Sequence, residues 1–241
     1  MKHTFRIILV AAMVVLTVAF VGCQKEKRSD DGAEASSGGN NSRPEAPAGW
    51  VDIGLPSGLL WAECNVGANA PEDAGNYYAW GETSTKSDYS WSTYAFGSDD
   101  YLLTKYCSNA EYGLDGYIDS LIILEPNDDA AAIIIADGAR IPTKKDWQEL
   151  INNVNAELTI QDSVYGCKFT STNGNSLFLP AVGYRDGLEH YDADNYGYYW
   201  SASLYTDIPN HAWNFGFDSS YKGLSNSYRF QGFSIRAVRA R

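Results

Sequence analysis

The sequence predicts an α+β domain in which two helices pack on an antiparallel sheet and long irregular loops complete the fold. Three observations predict it. Between residues 126 and 154 helix start signals precede apolar residues at helical spacing. Downstream of residue 177, aromatic and apolar residues recur at the two-residue period of strands. Between residues 63 and 120 neither period is sustained, and Gly, Asn, Ser and Tyr dominate.

The chain opens on a targeting segment. Lys2 and Arg6 give a positive start, and Ile7 to Val21 is an uncharged, apolar run 15 residues long, interrupted only by Thr17. That is shorter than the ~20 residues of a membrane span but suits the core of a signal peptide. It ends at Phe20-Val21-Gly22-Cys23, which resembles the lipobox of bacterial lipoproteins. The resemblance implies a signal peptide at 1–22, acylation of Cys23, and a membrane partner reached through the lipid anchor. Gln24 stands where an inner-membrane retention signal would carry Asp, so an outer-membrane lipoprotein is expected, exposed on the surface or facing the periplasm. From Gln24 to Gly49 there is no aromatic residue and no Ile, Leu or Val. Residues 23–49 read as the acylated Cys and a flexible tether, reaching about 25–30 Å.

The domain spans 50–241. Val51-Asp52-Ile53-Gly54 and Leu59-Leu60-Trp61-Ala62 flank Pro56-Ser57-Gly58, an opening hairpin. Through the loops of 63–120, Trp80 and Trp91 are expected to act as pins. Pro126 starts the first helix, with its body at Ala130 to Ile135 and its end at Asp137-Gly138. Thr143 caps the second, with Asp146 in its first turn, and Trp147, Leu150, Ile151 and Val154 mark its buried face. Strands follow: 177–179 leading into 180–185, then 198–201, 212–218 and 232–238. In the third of these Trp213, Phe215 and Phe217 alternate with Asn214, Gly216 and Asp218. Trp200, Trp213, Phe217, Phe233 and Ile235 are assigned to the core.

Charge narrows the function. The chain holds 18 Lys and Arg against 30 Asp and Glu, a net −12, and 50–241 alone holds 12 against 25. Such a surface repels phosphate backbones, so nucleic acid is excluded as a partner. With Cys23 acylated, Cys64, Cys107 and Cys167 remain, and one disulfide with one buried thiol is expected, the pairing left open. No Cys-x-x-Cys and no Cys/His cluster points to zinc or thiol redox chemistry.

Catalytic signals are sparse. After processing only His190 and His211 remain, and neither belongs to a hydrolase or metalloprotease motif. The pairs Asp99-Asp100 and Asp192/Asp194 are what a chain rich in acids produces freely. Asp192-Ala193-Asp194-Asn195-Tyr196-Gly197 starts like a calcium loop but places Tyr196 where an oxygen ligand belongs and Ser203 at the bidentate position. Glu125-Pro126-Asn127 matches the sugar-binding triplet of C-type lectins, yet it opens a helix, and capping accounts for it. No metal, no cofactor and no catalysis are expected. What remains is a binding vocabulary of Tyr with Asn, Asp and Ser. Tyr184, Arg185, Tyr191, Tyr205, Asp207, Asn210, His211, Asn214, Tyr221, Asn226 and Tyr228 are the candidate ligand-binding residues, with Tyr196 beside them.

Five segments together resemble the Fibrobacter succinogenes major paralogous domain family. They are Val51 to Leu59 with Cys64-Asn65-Val66-Gly67, Tyr78 to Thr83, Gly174 to Ala181, Tyr198 to Ser201, and Gly232 to Arg236. The resemblance covers 50–241 and implies a C-type-lectin-like fold on a secreted or lipid-anchored protein of gut Bacteroidetes. The closing segment also resembles target proteins of diversity-generating retroelements, whose variable residues sit on C-terminal loops and strands. Departures from the family pattern occur at Ile133 to Ala139, without the expected Trp-Gly-Gly-type turn, and at Val154, where Cys is often found. The expected function is a surface binding module for a glycan or protein ligand. The alternatives are a structural component of the envelope and an enzyme resembling formylglycine-generating enzymes, whose reactive Cys pair has no counterpart after Cys167.

Overall fold

The computed structural model describes residues 46–241; the expected signal peptide, Cys23 and all but the last four residues of the expected tether at 23–49 lie outside the described residues. The strands are β1 (Trp50–Val51), β2 (Leu60–Ala62), β3 (Asn155–Gln161), β4 (Val164–Thr170), β5 (Ser176–Pro180), β6 (Val182–Asp186), β7 (Glu189–Ala193), β8 (Gly197–Leu204), β9 (His211–Phe217), β10 (Lys222–Tyr228) and β11 (Val238–Arg239). The helices are α1 (Ala130–Ile134) and α2 (Lys144–Asn153). The α+β class is as expected, and both helices stand where the sequence puts them.

Both helices start on side-chain caps. The Asp129 carboxylate accepts from the amides of Ala131, Ala132 and Ile141, closing α1 and tying it to the segment before α2. Left-handed Ala136, Asp137 and Gly138 end the turn that follows. Thr143 and Asp146 form a reciprocal capping box on α2, and Arg140 donates to Asp146 at 2.6 Å. Trp147 and Leu150 are buried, and Trp147 stacks on Phe215 of β9 with ring centres 5.0 Å apart.

Three sheets result, ordered β1-β2-β11, β3-β4-β5 and β10-β9-β8-β6-β7. The first joins the two ends of the domain, because the opening hairpin gains β11 along its far edge. In the large sheet the β6–β8 pair is parallel, which corrects the expected all-antiparallel arrangement. These two strands meet only at Gly183 and Gly197. A side chain on Gly183 would come within 2.0 Å of the Tyr191 carbonyl, and one on Gly197 within 2.2 Å of the Phe217 ring. Beyond that contact the strands splay, and the C-terminal segment is stitched between them. Arg185 and Gly232 exchange backbone bonds of 2.8 and 2.9 Å, and the Trp200 amide donates to Ser234. Residues 232–238 are therefore a sequence of bridges rather than the expected continuous strand.

Other differences have local causes. Residues 177–185 are not one strand: the chain breaks at Ala181, so β5 and β6 serve different sheets. The β3–β4 hairpin turns on Asp162-Ser163, both at positive φ without a glycine, so the usual turn signal is missing. β7 and β10 are polar strands that lack an alternating apolar face. Cys107 and Cys167 are buried free thiols, so no disulfide joins any two of Cys64, Cys107 and Cys167, correcting the expected bridge. Trp213 is half-exposed rather than core; the Lys144 ammonium caps its ring at 3.5 Å.

Two apolar cores lie on opposite faces of the large sheet. The face carrying Phe215 and Phe217 packs on α2 with Trp61, Phe169 and Leu179. The face carrying Trp200 and Ala212 packs under the 63–120 loops with Tyr78, Trp80 and Tyr106. Trp80 pins those loops as expected, donating from its indole to the Ser201 carbonyl at 2.8 Å. Trp91 is half-exposed but packs on Phe230 and Tyr228 of the C-terminal segment, and the other fasteners are two buried arginines of that segment. Arg229 donates to the carbonyls of Lys105, Tyr106 and Pro209, and Arg236 to those of Ala62 and Glu63 and to the Asn65 side chain.

Candidate binding face

The loops cover the Trp200 end of their face and leave the other end open, where tyrosines from three adjacent strands assemble. Tyr184 of β6 stands directly opposite Tyr191 of β7, and their rings stack at 5.5 Å. Tyr198 of β8 meets Tyr184 edge-on at 5.3 Å, and Tyr196, two residues earlier, stacks on Tyr198 at 6.0 Å. Phe233 supports the row from below, 5.1 Å from Tyr198 and itself stacked on Trp200. Tyr198 faces Gly216 across the ladder, so the position beside it carries no side chain.

The hydroxyls of these tyrosines separate them from the tyrosines that hold the fold. Tyr77, Tyr89, Tyr94, Tyr106 and Tyr199 each bond a carbonyl or carboxylate of the domain. Tyr184, Tyr191, Tyr196 and Tyr198 have no hydrogen-bond partner for the hydroxyl among the described residues, and Tyr191 is 45% exposed. Burial pushes the Tyr198 phenol up to about 12 and raises that of Tyr184, so both remain protonated donors at neutral pH.

The sequence candidates divide into several places. Tyr184 and Tyr191 belong to the row, joined by Tyr196 and by Tyr198, which was not singled out. Its signal was available: Tyr196, Tyr198 and Trp200 fall on one face of β8 at the two-residue period. Arg185 points to the opposite face of β6. Tyr205, His211 and Tyr228 gather at the far end of the sheet. There His211 lies 4.2 Å from Tyr228, Tyr205 stands edge-on to Trp213 at 4.9 Å, and Trp91 and Phe230 extend the group. Asp207 is exposed in the β8–β9 loop, and Asn226 is half-buried opposite Trp213. Tyr221 sits at the β9–β10 turn with its hydroxyl on the Leu224 carbonyl.

Two candidates are corrected. Asn214 is fully buried, donating to Ser227, and Asn210 is buried between His211 and the Asp100 carbonyl. Both are structural amides without a surface to offer a ligand.

Within the lectin-type triplet Asn127 is exposed, while Glu125 and the following Asp128 make local contacts. Glu125 pairs with Lys105 at 2.6 Å, and Asp128 receives the same ammonium and the Tyr106 hydroxyl. Among the described residues no three His, Cys, Asp or Glu side chains come together as metal ligands. No helix among them is long and apolar enough to cross a membrane.

The fold and face define a mixed α+β domain with an open aromatic surface on a splayed sheet. A family model described as a domain of unknown function, DUF8237, matches residues 147–238, from the buried Trp147 to β11. No curated protein and no solved structure matches the chain.

Proposed function

We infer that residues 50–241 form a non-catalytic binding module of C-type-lectin-like fold that recognises a glycan on the row of Tyr184, Tyr191, Tyr196 and Tyr198. The observation that carries this reading is the set of unpartnered hydroxyls on stacked, accessible rings. A ring face matches the apolar C–H patch of a sugar, and a free phenol reaches its hydroxyls, with little side-chain entropy lost. The lectin-like fold rests on the chained motifs of the sequence, and the long loops over a curled sheet are compatible with it. The histidines are occupied structurally: His190 meets the Tyr77 hydroxyl and the Val182 carbonyl, and His211 meets Asn210. The module is carried on an outer-membrane lipid anchor at Cys23, by the same reading of the sequence.

The test is a glycan and protein array probed with the full-length, detergent-solubilised protein, followed by titration of the best ligand. Combined Tyr184→Ala, Tyr191→Ala and Tyr198→Ala should weaken binding at least ten-fold, since anchors of this kind contribute over ~1 kcal/mol each. Undiminished affinity in that variant removes the row from the site. For the anchor, Cys23→Ala should move the protein out of the membrane fraction; unchanged partitioning refutes it.

A further inference from the structure

On the opposite face of β6 from Tyr184, a cleft of about 440 Å³ opens between Arg185 and the loops at 75–77 and 85–89. That volume is in the range of small-ligand sites, roughly 300–1,000 Å³. Its floor is rigid: Tyr77 and Tyr89 are buried, with their hydroxyls fixed on the carbonyls of Val182 and Tyr77. Its rim is polar and exposed, with Asn76, Thr85 and Ser87.

The cation in this cleft is unlike the other arginines of the domain. Arg140, Arg239 and Arg241 pair with carboxylates, and Arg229 and Arg236 are buried and donate to backbone carbonyls and side-chain oxygens. The Arg185 side chain has no hydrogen bond and no ion pair among the described residues. Its guanidinium rests on the face of Tyr77, 5.3 Å from the ring centre. Lys86 on the facing loop is already neutralised by Glu82 at 2.9 Å. The cleft therefore holds one uncommitted positive charge in a domain whose net charge is strongly negative.

We propose that this cleft binds the carboxylate of an acidic sugar residue. The planar fork of Arg185 matches a carboxylate in two parallel bonds, and the exposed Asn76, Thr85 and Ser87 side chains offer partners to ring hydroxyls. A single free guanidinium balances a monoanion; a phosphate dianion would leave excess negative charge near Glu82, which holds the Lys86 of the cleft wall. The site is separate from the tyrosine row, so each can fail without the other.

The experiment is isothermal titration of the full-length protein with D-glucuronate, D-glucose and inorganic phosphate. Glucuronate should bind at least ten-fold more tightly than glucose and than phosphate, with affinity falling as salt is raised. Arg185→Gln should lose the preference for glucuronate over glucose, while its thermal midpoint stays within a degree or two because no polar bond is broken. Arg185→Lys, which keeps the charge but not the fork, should fall between. Equal binding of glucose and glucuronate, or an unchanged preference in Arg185→Gln, overturns the site. Tighter binding of phosphate overturns the carboxylate assignment.

Discussion

The guanidinium of Arg229 lies 4.9 Å from the centre of the Trp80 ring, with Tyr94 and Tyr106 completing an aromatic cage around a fully buried cation. No carboxylate among the described residues pairs with it. Its charge is held by ring faces and by three backbone carbonyls from two separate segments, at 105–106 and at 209. One side chain thereby locks the 63–120 loops to the sheet.

Replacing Arg229 should therefore unfasten the loops before it unfolds the sheet. Arg229→Ala leaves buried carbonyls without donors and a cavity among rings, a loss on the order of 3–5 kcal/mol. Arg229→Lys should recover little of it, since an ammonium cannot reach all three carbonyls in one plane. Hydrogen exchange should show residues 94–106 losing protection first. An unchanged denaturation midpoint in Arg229→Ala would show that the rings alone hold the loops.

The two tryptophans of the α2 face should behave differently. Trp147 is fully buried against Trp61 and Phe215, so Trp147→Ala should cost ~3–5 kcal/mol. Trp213 lies half-exposed under Lys144, and Trp213→Ala should cost only about 1–2 kcal/mol from a cation–π contact and partial burial. Equal losses in chemical denaturation would place Trp213 back in the core.

These contrasts mark what the residues themselves could reveal. Local signals were legible: Thr143 with Asp146 fixed the start of α2, and Trp147 and Leu150 fixed its buried face. Pattern failed where tertiary contacts decide. Trp213, Phe215 and Phe217 share one face by alternation, but α2 begins at Lys144, so its first turn shields Trp213 only with a lysine stem. The binding residues were legible as a vocabulary and not as a place. Tyr184 and Tyr191 meet across a ladder, whereas neighbouring Arg185 faces the other way, because successive strand residues alternate. Asn210 and Asn214 carry the same vocabulary into the interior.

The pH dependence of the aromatic group at the far end of the sheet follows from His211. Burial lowers its imidazole pKa below the usual 6.5, against a smaller raising effect of Asp100. The folded state thus favours neutral imidazole, and the unfolded chain takes up the proton first. The stability His211 contributes is complete above about pH 6.5 and is lost as pH falls from there through the depressed folded value. His211→Gln should flatten the stability profile over that window. A wild-type profile already flat between pH 7 and 5 would refute the depressed pKa.

Cysteine reactivity gives the last expectation. Cys107 and Cys167 are fully buried free thiols, and the Cys107 thiol donates to the Asn109 carbonyl at 3.1 Å. Burial raises the thiol pKa of Cys107 and pushes that of Cys167 up to about 12, so neither forms thiolate near neutral pH. Both access and chemistry then protect them. Iodoacetamide labelling of the native protein at pH 8, read by peptide mapping, should leave both positions unmodified; denaturant should make both label fully. A non-reducing digest should contain no peptide joining 107 to 167. Native labelling of Cys107 at the rate of a free peptide thiol would mean that the Arg229 lock opens readily, because the residues flanking that lock, Lys105 and Tyr106, lead directly into Cys107.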